Sequence, residues 1–179
     1  GDKMFVDYAG DRLCLTDPKT GEKTPVETFV AILGASGYTY VEVSPSQKKE
    51  DWIRSNERAL HFFGGVPAAI VPDNLKSAVT KTDPYEPGIN VLYDDFAEYY
   101  GTTIIPARVR KARDKGLVEN AVKLTYQRIY APLRNMVFYS IEELNKAIWE
   151  KLSIHNEKHF QRIESSRKQV FEEVEKPGL

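Results

Sequence analysis

The spacing of hydrophobic and polar residues changes near residue 45. Before that point, short runs rich in β-branched and aromatic residues alternate with turn residues, a pattern that indicates strands. These predicted strands cover residues 4–8, 12–16, 26–33 and 38–43, and Ala9-Gly10-Asp11 forms a turn between the first two. The pattern predicts an antiparallel meander that opens with a hairpin, in which the second run returns along the first.

After residue 45 the apolar residues recur at helical spacing, and short strands lie between the helices. Predicted helices cover residues 46–63, 91–100, 114–130 and a segment that starts at Ser140, and predicted strands cover residues 68–71 and 102–105. Ser140 and Glu143 form an S-x-x-E capping box, and the helix that follows has an apolar stripe made of Ile141, Leu144, Ile148 and Leu152. This order of elements predicts an α/β fold, with one mixed sheet flanked by helices.

Composition narrows the class of protein only slightly. The chain has 179 residues, of which 41% are hydrophobic and 28% are charged, as is typical of a globular domain. Its formal net charge of -1 does not by itself indicate a nucleic-acid partner, although a local basic stripe still could. The single cysteine, Cys14, excludes an internal disulfide and a multi-cysteine zinc site, and its apolar neighbours predict a buried thiol.

The chain has no apolar run long enough to span a membrane and no signal peptide, so we expect a cytoplasmic protein. It opens with Gly1 and enters a predicted strand almost at once. We therefore expect it to be a domain excised from a longer protein.

Three carboxylates occupy related places in these elements. Asp7 interrupts a run of strand formers, Asp73 ends the buried strand in AAIVPDN, and Glu119 lies early in a helix. Each has an ordinary alternative explanation. Asp7 could face solvent on an exposed strand, the PDN segment could be a simple turn, and Glu119 could be a first-turn residue favoured by the helix dipole.

Taken together, the three carboxylates suit a two-metal site. Such a site holds two ions about 3.5–4 Å apart. Mg²⁺ prefers oxygen ligands and keeps some of its waters, so two or three carboxylates suffice. A carboxylate on a central strand, one at a neighbouring strand end and one on a crossing helix would hold such a pair.

The chain resembles the DDE transposases and retroviral integrases, and most specifically the IstA-type transposases of bacterial insertion sequences. The resemblance rests on FVDYAGD at residues 5–11, on FFGGVPAAIVPDNLKSAV at residues 62–79 and on KARDKGLVENAV at residues 111–122, and it extends over nearly the whole chain. It implies a catalytic core that cleaves DNA at transposon ends and joins the 3′-hydroxyl to target DNA. The implied catalytic and metal-binding residues are Asp7, Asp73 and Glu119, with two Mg²⁺ ions for which Mn²⁺ can substitute.

The resemblance also implies an RNase H-like fold with a five-stranded mixed sheet. The first three strands would be antiparallel, and the fourth and fifth would run parallel to the first. Residues 26–33 and 38–43 would then be the second and third strands. In that case the hairpin of residues 4–8 and 12–15 would form one long or interrupted first strand with its return, and Cys14 would lie in or near the second.

Seven basic residues are candidates for DNA binding. Five of them fall within eight residues just before Glu119, Lys123 follows Glu119 by one helical turn, and the seventh follows Asp73 by three positions. They are Lys76, Arg108, Arg110, Lys111, Arg113, Lys115 and Lys123. Lysine and arginine hold DNA phosphates by charge, although a basic loop can also be merely solvated. The role of Lys123 is implied by the family resemblance.

Three further groups have simpler explanations. Tyr93, Phe96, Tyr99 and Tyr100 are predicted to be helix core, and the pair Asp94-Asp95 is explained by capping and the helix dipole. His155 and His159 have the i, i+4 spacing of a metal-binding helix, but without an evident third ligand we expect both on the surface or facing a partner.

We expect the catalytic core to cover residues 1–137, a C-terminal helix to pack on it or extend it over residues 138–164, and residues 165–179 to form a linker toward a missing region. The resemblance implies DNA, other copies of the chain and an AAA+ helper ATPase as partners in a bacterial cytoplasm, with no membrane partner. The alternative is a non-catalytic DNA-binding or assembly module derived from a transposase.

Overall fold

The computed structural model describes residues 1–72, 91–105 and 112–179. In these segments six strands form one mixed sheet. The strands are β1 Lys3–Tyr8, β2 Leu13–Thr16, β3 Lys23–Leu33, β4 Thr39–Ser44, β5 Ala69–Pro72 and β6 Thr103–Ile104. The helices are α1 Lys49–Phe63, α2 Val91–Tyr100, α3 Ala112–Thr125, α4 Ala131–Leu133, α5 Ile141–Glu157 and α6 Arg167–Val170.

The sheet has the directions that the family resemblance implied. β3 is antiparallel to both β1 and β4, while β5 runs parallel to β1 and β6 runs parallel to β5. β1 is therefore a central strand, with β3 on one side and β5 on the other. The α/β prediction and the RNase H-like strand arrangement are confirmed.

The predicted opening hairpin is wrong. β1 pairs with β3 from Met4↔Leu33 to Tyr8↔Phe29, and β2 pairs with the same strand in the same sense, from Leu13↔Val26 to Thr16↔Lys23. β1 and β2 thus run in the same direction along β3, so β2 continues β1 and does not fold back on it. The alternative is confirmed as far as it expects an interrupted first strand, whereas the return that it also expected is wrong. Counting β1 and β2 as one strand gives the expected five. Ala9 still donates its N–H to the Thr28 carbonyl at 2.8 Å, and residues 10–12 interrupt the ladder before β2 begins, as extra residues do in a β-bulge.

The core lies on both faces of the sheet. Met4 and Val6 belong to one buried cluster together with Trp52 of α1, whereas Phe5 belongs to a second cluster with Val118 of α3. Because successive side chains of a strand point to opposite faces, α1 and α3 lie on opposite sides of β1. α3 therefore covers the face that Phe5 shares with Asp7, two positions further along.

β4 pairs with β3 alone among the described strands, and α5 covers its open edge. Asn145 accepts a hydrogen bond from the Val43 N–H at 2.7 Å and donates to the Val43 carbonyl at 3.3 Å. Asn156 does the same at Thr39, at 3.1 and 2.8 Å, and the Trp149 indole donates to the Val41 carbonyl at 3.0 Å. The side chains of α5 thus satisfy backbone groups that another strand would otherwise pair with.

Most predicted helix boundaries are confirmed. α1 and α2 end at Gly64 and Gly101, each with a φ of 72°. α3 continues through a π-helical turn, Tyr126–Tyr130, into α4. Ser140 caps α5 by accepting from the Glu143 N–H at 3.1 Å, but the Glu143 carboxylate accepts from the Tyr139 N–H, not from that of Ser140. The capping box is therefore only half formed.

The segment expected to be a linker has helical structure. After α6 it continues as a π-helical turn, Phe171–Glu175, and a 3-10 turn, Lys176–Gly178. Phe171 is buried against Tyr38, and the buried Glu175 carboxylate accepts from the Ala35 and Ser36 amides. Where this segment leads, and the division into three parts, remain predictions.

Candidate active site on the central strands

Asp7 lies near the carboxyl end of β1 and is half-buried. It is the register partner of Val30 on β3, and its Oδ1 accepts a hydrogen bond of 2.8 Å from the Tyr8 N–H. Because β1 has a partner strand on each side, the explanation of Asp7 as a residue of an exposed strand is wrong. A carboxylate therefore stands in the middle of the sheet, where local strand propensity disfavours it.

β5 ends beside Asp7. The parallel register pairs Phe5 with Val71 and Val6 with Pro72, and Pro72 is the last residue of β5. Asp73, the next residue in the chain, lies outside the described residues. The carboxyl ends of parallel strands in α/β folds are common places for ligands.

α3 brings Glu119 to the same side of the sheet. The neighbouring residues Val118 and Ala121 pack into a buried cluster with Phe5 and Val71. Glu119 itself is exposed and is the eighth residue of a helix that starts at Ala112. The dipole effect decays within the first turn, so the explanation of Glu119 as a first-turn residue does not hold.

The donor chemistry of this site fits a divalent ion. Asp7 and Glu119 offer carboxylate oxygens, the ligands that Mg²⁺ prefers. In the described segments no group of three His, Cys, Asp or Glu side chains is placed to hold a metal. That result leaves the three-carboxylate hypothesis untested, because Asp73 is not among those residues.

The predicted DNA-binding residues are only partly described. Lys123 is exposed in the last turn of α3, one turn after Glu119. Arg113 and Lys115 fall within α3 by position. Lys76, Arg108, Arg110 and Lys111 lie outside the described residues.

The aromatic and histidine predictions have mixed outcomes. Tyr93 and Phe96 are core residues as predicted, whereas Tyr99 is 82% exposed. His159 is exposed as expected, but the expectation for His155 is wrong. His155 is only 4% exposed because its face of α5 is covered by elements from other parts of the chain, including Arg128 and Arg167.

A basic pocket around Arg128 and Arg167 has no signature in the sequence pattern. The i, i+4 spacing of His155 and His159 drew attention to the right helix but suggested a metal pair. No spacing rule connects Arg128 to a residue 39 positions later, so this pocket became visible only in three dimensions.

The arrangement of the sheet and α3 defines a class of fold, that of retroviral integrase catalytic cores. The catalytic core domain of BIV integrase matches with a TM-score of 0.66 at 15% identity, over 97% of both chains. A simian T-cell lymphotropic virus intasome in complex with the PP2A regulatory subunit B56 gamma matches with the same TM-score at 14% identity, over 93% of this chain and 53% of that chain. At such identities the likeness defines the fold, which is RNase H-like.

Sequence relatives define the family. A protein of Sinorhizobium fredii that is named a transposase is 47% identical over 179 residues, and one named for insertion sequence IS408 of Burkholderia multivorans is 41% identical over 179 residues. The transposase for insertion sequence element IS21 of Pseudomonas aeruginosa is 30% identical over 128 residues, or 72% of this chain and 32% of that protein. No protein-family model matches.

The chain belongs to the insertion-sequence transposases, and the resemblance to the IstA type is confirmed. It spans 35% of the length of the first two relatives. In the part of the chain that the structure describes, none of the helices has both the length and the apolar character needed to cross a membrane.

Proposed function

We propose that this chain is the catalytic core of a DNA transposase that cleaves phosphodiester bonds at transposon ends and transfers the 3′-hydroxyl into target DNA. Asp7, Asp73 and Glu119 would hold two Mg²⁺ ions, and Mn²⁺ would substitute for them. The family membership and the integrase-like fold support this proposal.

The observation that carries the proposal is the register of the two central strands beneath α3. Val6 and Pro72 are partners, so the chain approaches both Asp7 and Asp73 from adjacent residues of a parallel ladder. Val118 and Ala121 of α3 belong to one buried cluster with Phe5 on β1, Val71 on β5 and Ile32 on β3. Asp7 and Glu119, although distant in sequence, thus belong to elements that share one buried cluster, and Asp73 is the residue that follows β5 in the chain.

Each carboxylate has a proposed role that suits its position. Asp7 is fixed by its strand and by the bond from the Tyr8 N–H, so it would serve as the rigid ligand. Glu119 projects from an exposed position on a packed helix and would complete the site when substrate and ions are bound. When bound, the ions would supply Lewis acidity for the attacking and the leaving oxygens.

Basic side chains would hold the DNA backbone in place. We propose this role for Lys123 on α3 and for Lys76, Arg108, Arg110, Lys111, Arg113 and Lys115. Lys123 lies one turn from Glu119, on the same side of the helix. A phosphate held there would be next to the carboxylates.

The remaining expectations concern the longer protein. We propose that it acts as a homo-oligomer on DNA in the bacterial cytoplasm, together with an AAA+ helper ATPase. Residues 165–179 would lead toward a further C-terminal region. The relatives are almost three times as long as this chain, which leaves room for such a region.

The test is metal-dependent nicking of supercoiled plasmid DNA by the chain and its Asp7→Asn variant. We expect the unaltered chain to nick the plasmid with Mg²⁺ or Mn²⁺. Addition of EDTA or the Asp7→Asn substitution should abolish this nicking. Binding of DNA without any nicking by the folded chain would instead support a non-catalytic DNA-binding module.

A further inference from the structure

A strongly basic pocket lies between α3, α5 and the segment that leads into α6. It has a volume of about 560 Å³. Its lining includes the cationic side chains of Arg128, Lys158, Arg162 and Arg167, and no Asp or Glu is among the described residues that line it. In a chain whose net charge is only -1, four positive charges around one cavity form a local excess.

Arg167 is the most deeply buried of these cations. It is 9% exposed, and its guanidinium lies 4.7 Å from the centre of the Phe160 ring. No described carboxylate lies within ion-pair distance of Arg167 or of Arg128. A buried charge without an opposite charge is unfavourable for folding, so its presence needs a reason.

Several other buried charges among the described residues have partners. The Glu42 carboxylate, 2% exposed, accepts from Arg58 Nε at 2.8 Å, and Glu27 pairs with Arg12 at 3.1 Å. The buried Glu175 carboxylate is compensated instead by the Ala35 and Ser36 N–H groups. The described residues supply no such anionic partner to the basic pocket, and an anionic ligand would supply one.

The effect of this excess charge is visible at His155. An Arg128 Nη1 donates to His155 Nδ1 at 2.9 Å, which requires a neutral imidazole with its proton on Nε2. Burial, followed by the charges of Arg167, Arg128 and Lys158, lowers the pKa of His155 to about 3. The histidine thus acts as an acceptor that orients Arg128 and adds no further charge.

Local backbone contacts fix the segment that lines the pocket. The segment that carries Phe160 is closed by a β-bridge between His159 and Ser166 and by a 2.9 Å bond from the Phe160 N–H to the Ser165 carbonyl. Ser166 and Gln169 then form a complete capping box around the first turn of α6, where Arg167 lies. Two arginines held in fixed positions are suited to bidentate recognition of an oxyanion.

We propose that this pocket binds a phosphate group of the DNA backbone, with Arg128 and Arg167 as its main ligands. The assignment of the phosphate to DNA rests on the proposed function. The pocket also lies against α3, because Asn120, the residue after Glu119, is part of its lining. The pocket therefore adjoins the helix that carries Glu119.

The first experiment uses inorganic phosphate and no divalent ion. Titration with phosphate should raise the Tm of the unaltered chain relative to chloride at equal ionic strength, and this rise should vanish in Arg167→Met and in Arg128→Met. Arg134→Met removes an exposed arginine outside the pocket and should keep the full rise. Methionine retains an apolar stem. Without phosphate, the Tm of each pocket variant should equal or exceed that of the unaltered chain, because an unpaired buried charge is gone.

The second experiment measures binding of a fluorescent duplex of arbitrary sequence, in EDTA, at several salt concentrations. Loss of one phosphate contact should reduce the slope of log K against log[salt] by about 0.9 in the pocket variants. The Arg134→Met control should keep its slope. Neither experiment depends on catalysis, so the pocket and the active-site proposal can fail separately.

A different outcome is that phosphate raises the Tm while the slope of log K against log[salt] is the same in the pocket variants as in the unaltered chain. That outcome would overturn the assignment to DNA and identify a site for free anions. Equal phosphate responses in the unaltered chain and both variants would overturn the pocket altogether. If Arg167→Met does not fold, Arg128→Met alone decides, since Arg128 is only half-buried.

Discussion

Val6 on β1 and Pro72 on β5 are partners in a parallel ladder. β5 therefore ends beside the residue that precedes Asp7, and Asp73 is the next residue in the chain after Pro72. Val118 of α3 belongs to the same buried cluster as Phe5 on β1 and Val71 on β5. This relationship makes a shared metal site chemically reasonable, and it leads to the predictions for Asp7 and Glu119.

Asp7→Asn should abolish metal-dependent cutting and joining while leaving the fold intact. An asparagine Oδ1 can still accept from the Tyr8 N–H, and removal of one of several like charges relieves repulsion. The Tm without metal should therefore stay level or rise slightly. Plasmid nicking and thermal unfolding check both parts, and Asp95→Asn, on the exposed side of α2, is the matched control. Retention of nicking by Asp7→Asn would contradict the catalytic role.

Glu119→Gln should lower activity by at least about 100-fold, the scale of removing one charge-stabilising group from an active site. Glu119 is exposed in mid-helix, so the free energy of unfolding should change by no more than about 0.5 kcal/mol. Glu98→Gln changes another exposed helical glutamate and should leave activity unchanged. A substantial loss of stability in Glu119→Gln would point to a structural role instead.

The basic stretch before Glu119 should bind DNA without regard to sequence. Replacement of Arg110, Lys111 and Arg113 by alanine should reduce the slope of log K against log[salt] by about 0.9 for each lost phosphate contact. Folding should hardly change if these charges are exposed. Binding of a fluorescent duplex at low salt is the measurement. An unchanged slope would mean that these residues form only a solvated loop.

Asn145→Leu should destabilise the fold by exposing the edge of β4. The Val43 N–H and carbonyl would both lose their partner, and each buried group left unsatisfied costs about 1–3 kcal/mol. Urea unfolding should show this loss, and Asn135→Leu, at an exposed position outside the sheet edge, should not. We also expect more aggregation, because an open strand edge can pair with another chain. Equal stability of the two variants would contradict the edge-covering role of α5.

The low pKa of His155 predicts a pH dependence with a definite sign. Its pKa is about 3 in the folded chain, below the usual value of 6.5, so the unfolded chain binds the extra proton. Stability should therefore be lost as the pH falls from about 6.5 toward 3, by at most about 1.4 kcal/mol per pH unit. His155→Gln should lack this pH-dependent part of the stability. The difference in the free energy of unfolding between the unaltered chain and the variant should therefore change across that pH range and stay constant above it. A constant difference at all pH values would show that the imidazole is charged in the folded state.

Local sequence was a good guide to elements and to candidate residues. Strand propensity, helical spacing and glycine stops predicted most of the boundaries, because these signals act within one turn or one strand. The motifs around Asp7 and Glu119 marked candidate positions, and at Asp7 the carboxylate also departs from the local strand pattern. Asp73 stays a prediction, since it lies outside the described residues.

Long-range pairing was beyond what local signals contain. Ala9-Gly10-Asp11 has the residues of a hairpin turn, yet β2 continues along β3, because the choice of partner depends on the 11-residue strand that follows. His155 looked like a surface residue because the segment that covers it, with Arg167, is charged and resembled a linker. Both errors arise from contacts between residues far apart in the sequence.

The most direct test of the central claim is a crystal structure with Mn²⁺ soaked in, read from anomalous difference density. We expect two Mn²⁺ ions bound by Asp7, Asp73 and Glu119, about 3.5–4 Å apart, with the three carboxyl carbons roughly 4–8 Å from one another. Ordered carboxylates more than about 16 Å apart, or Mn²⁺ bound only elsewhere in the chain, would contradict it.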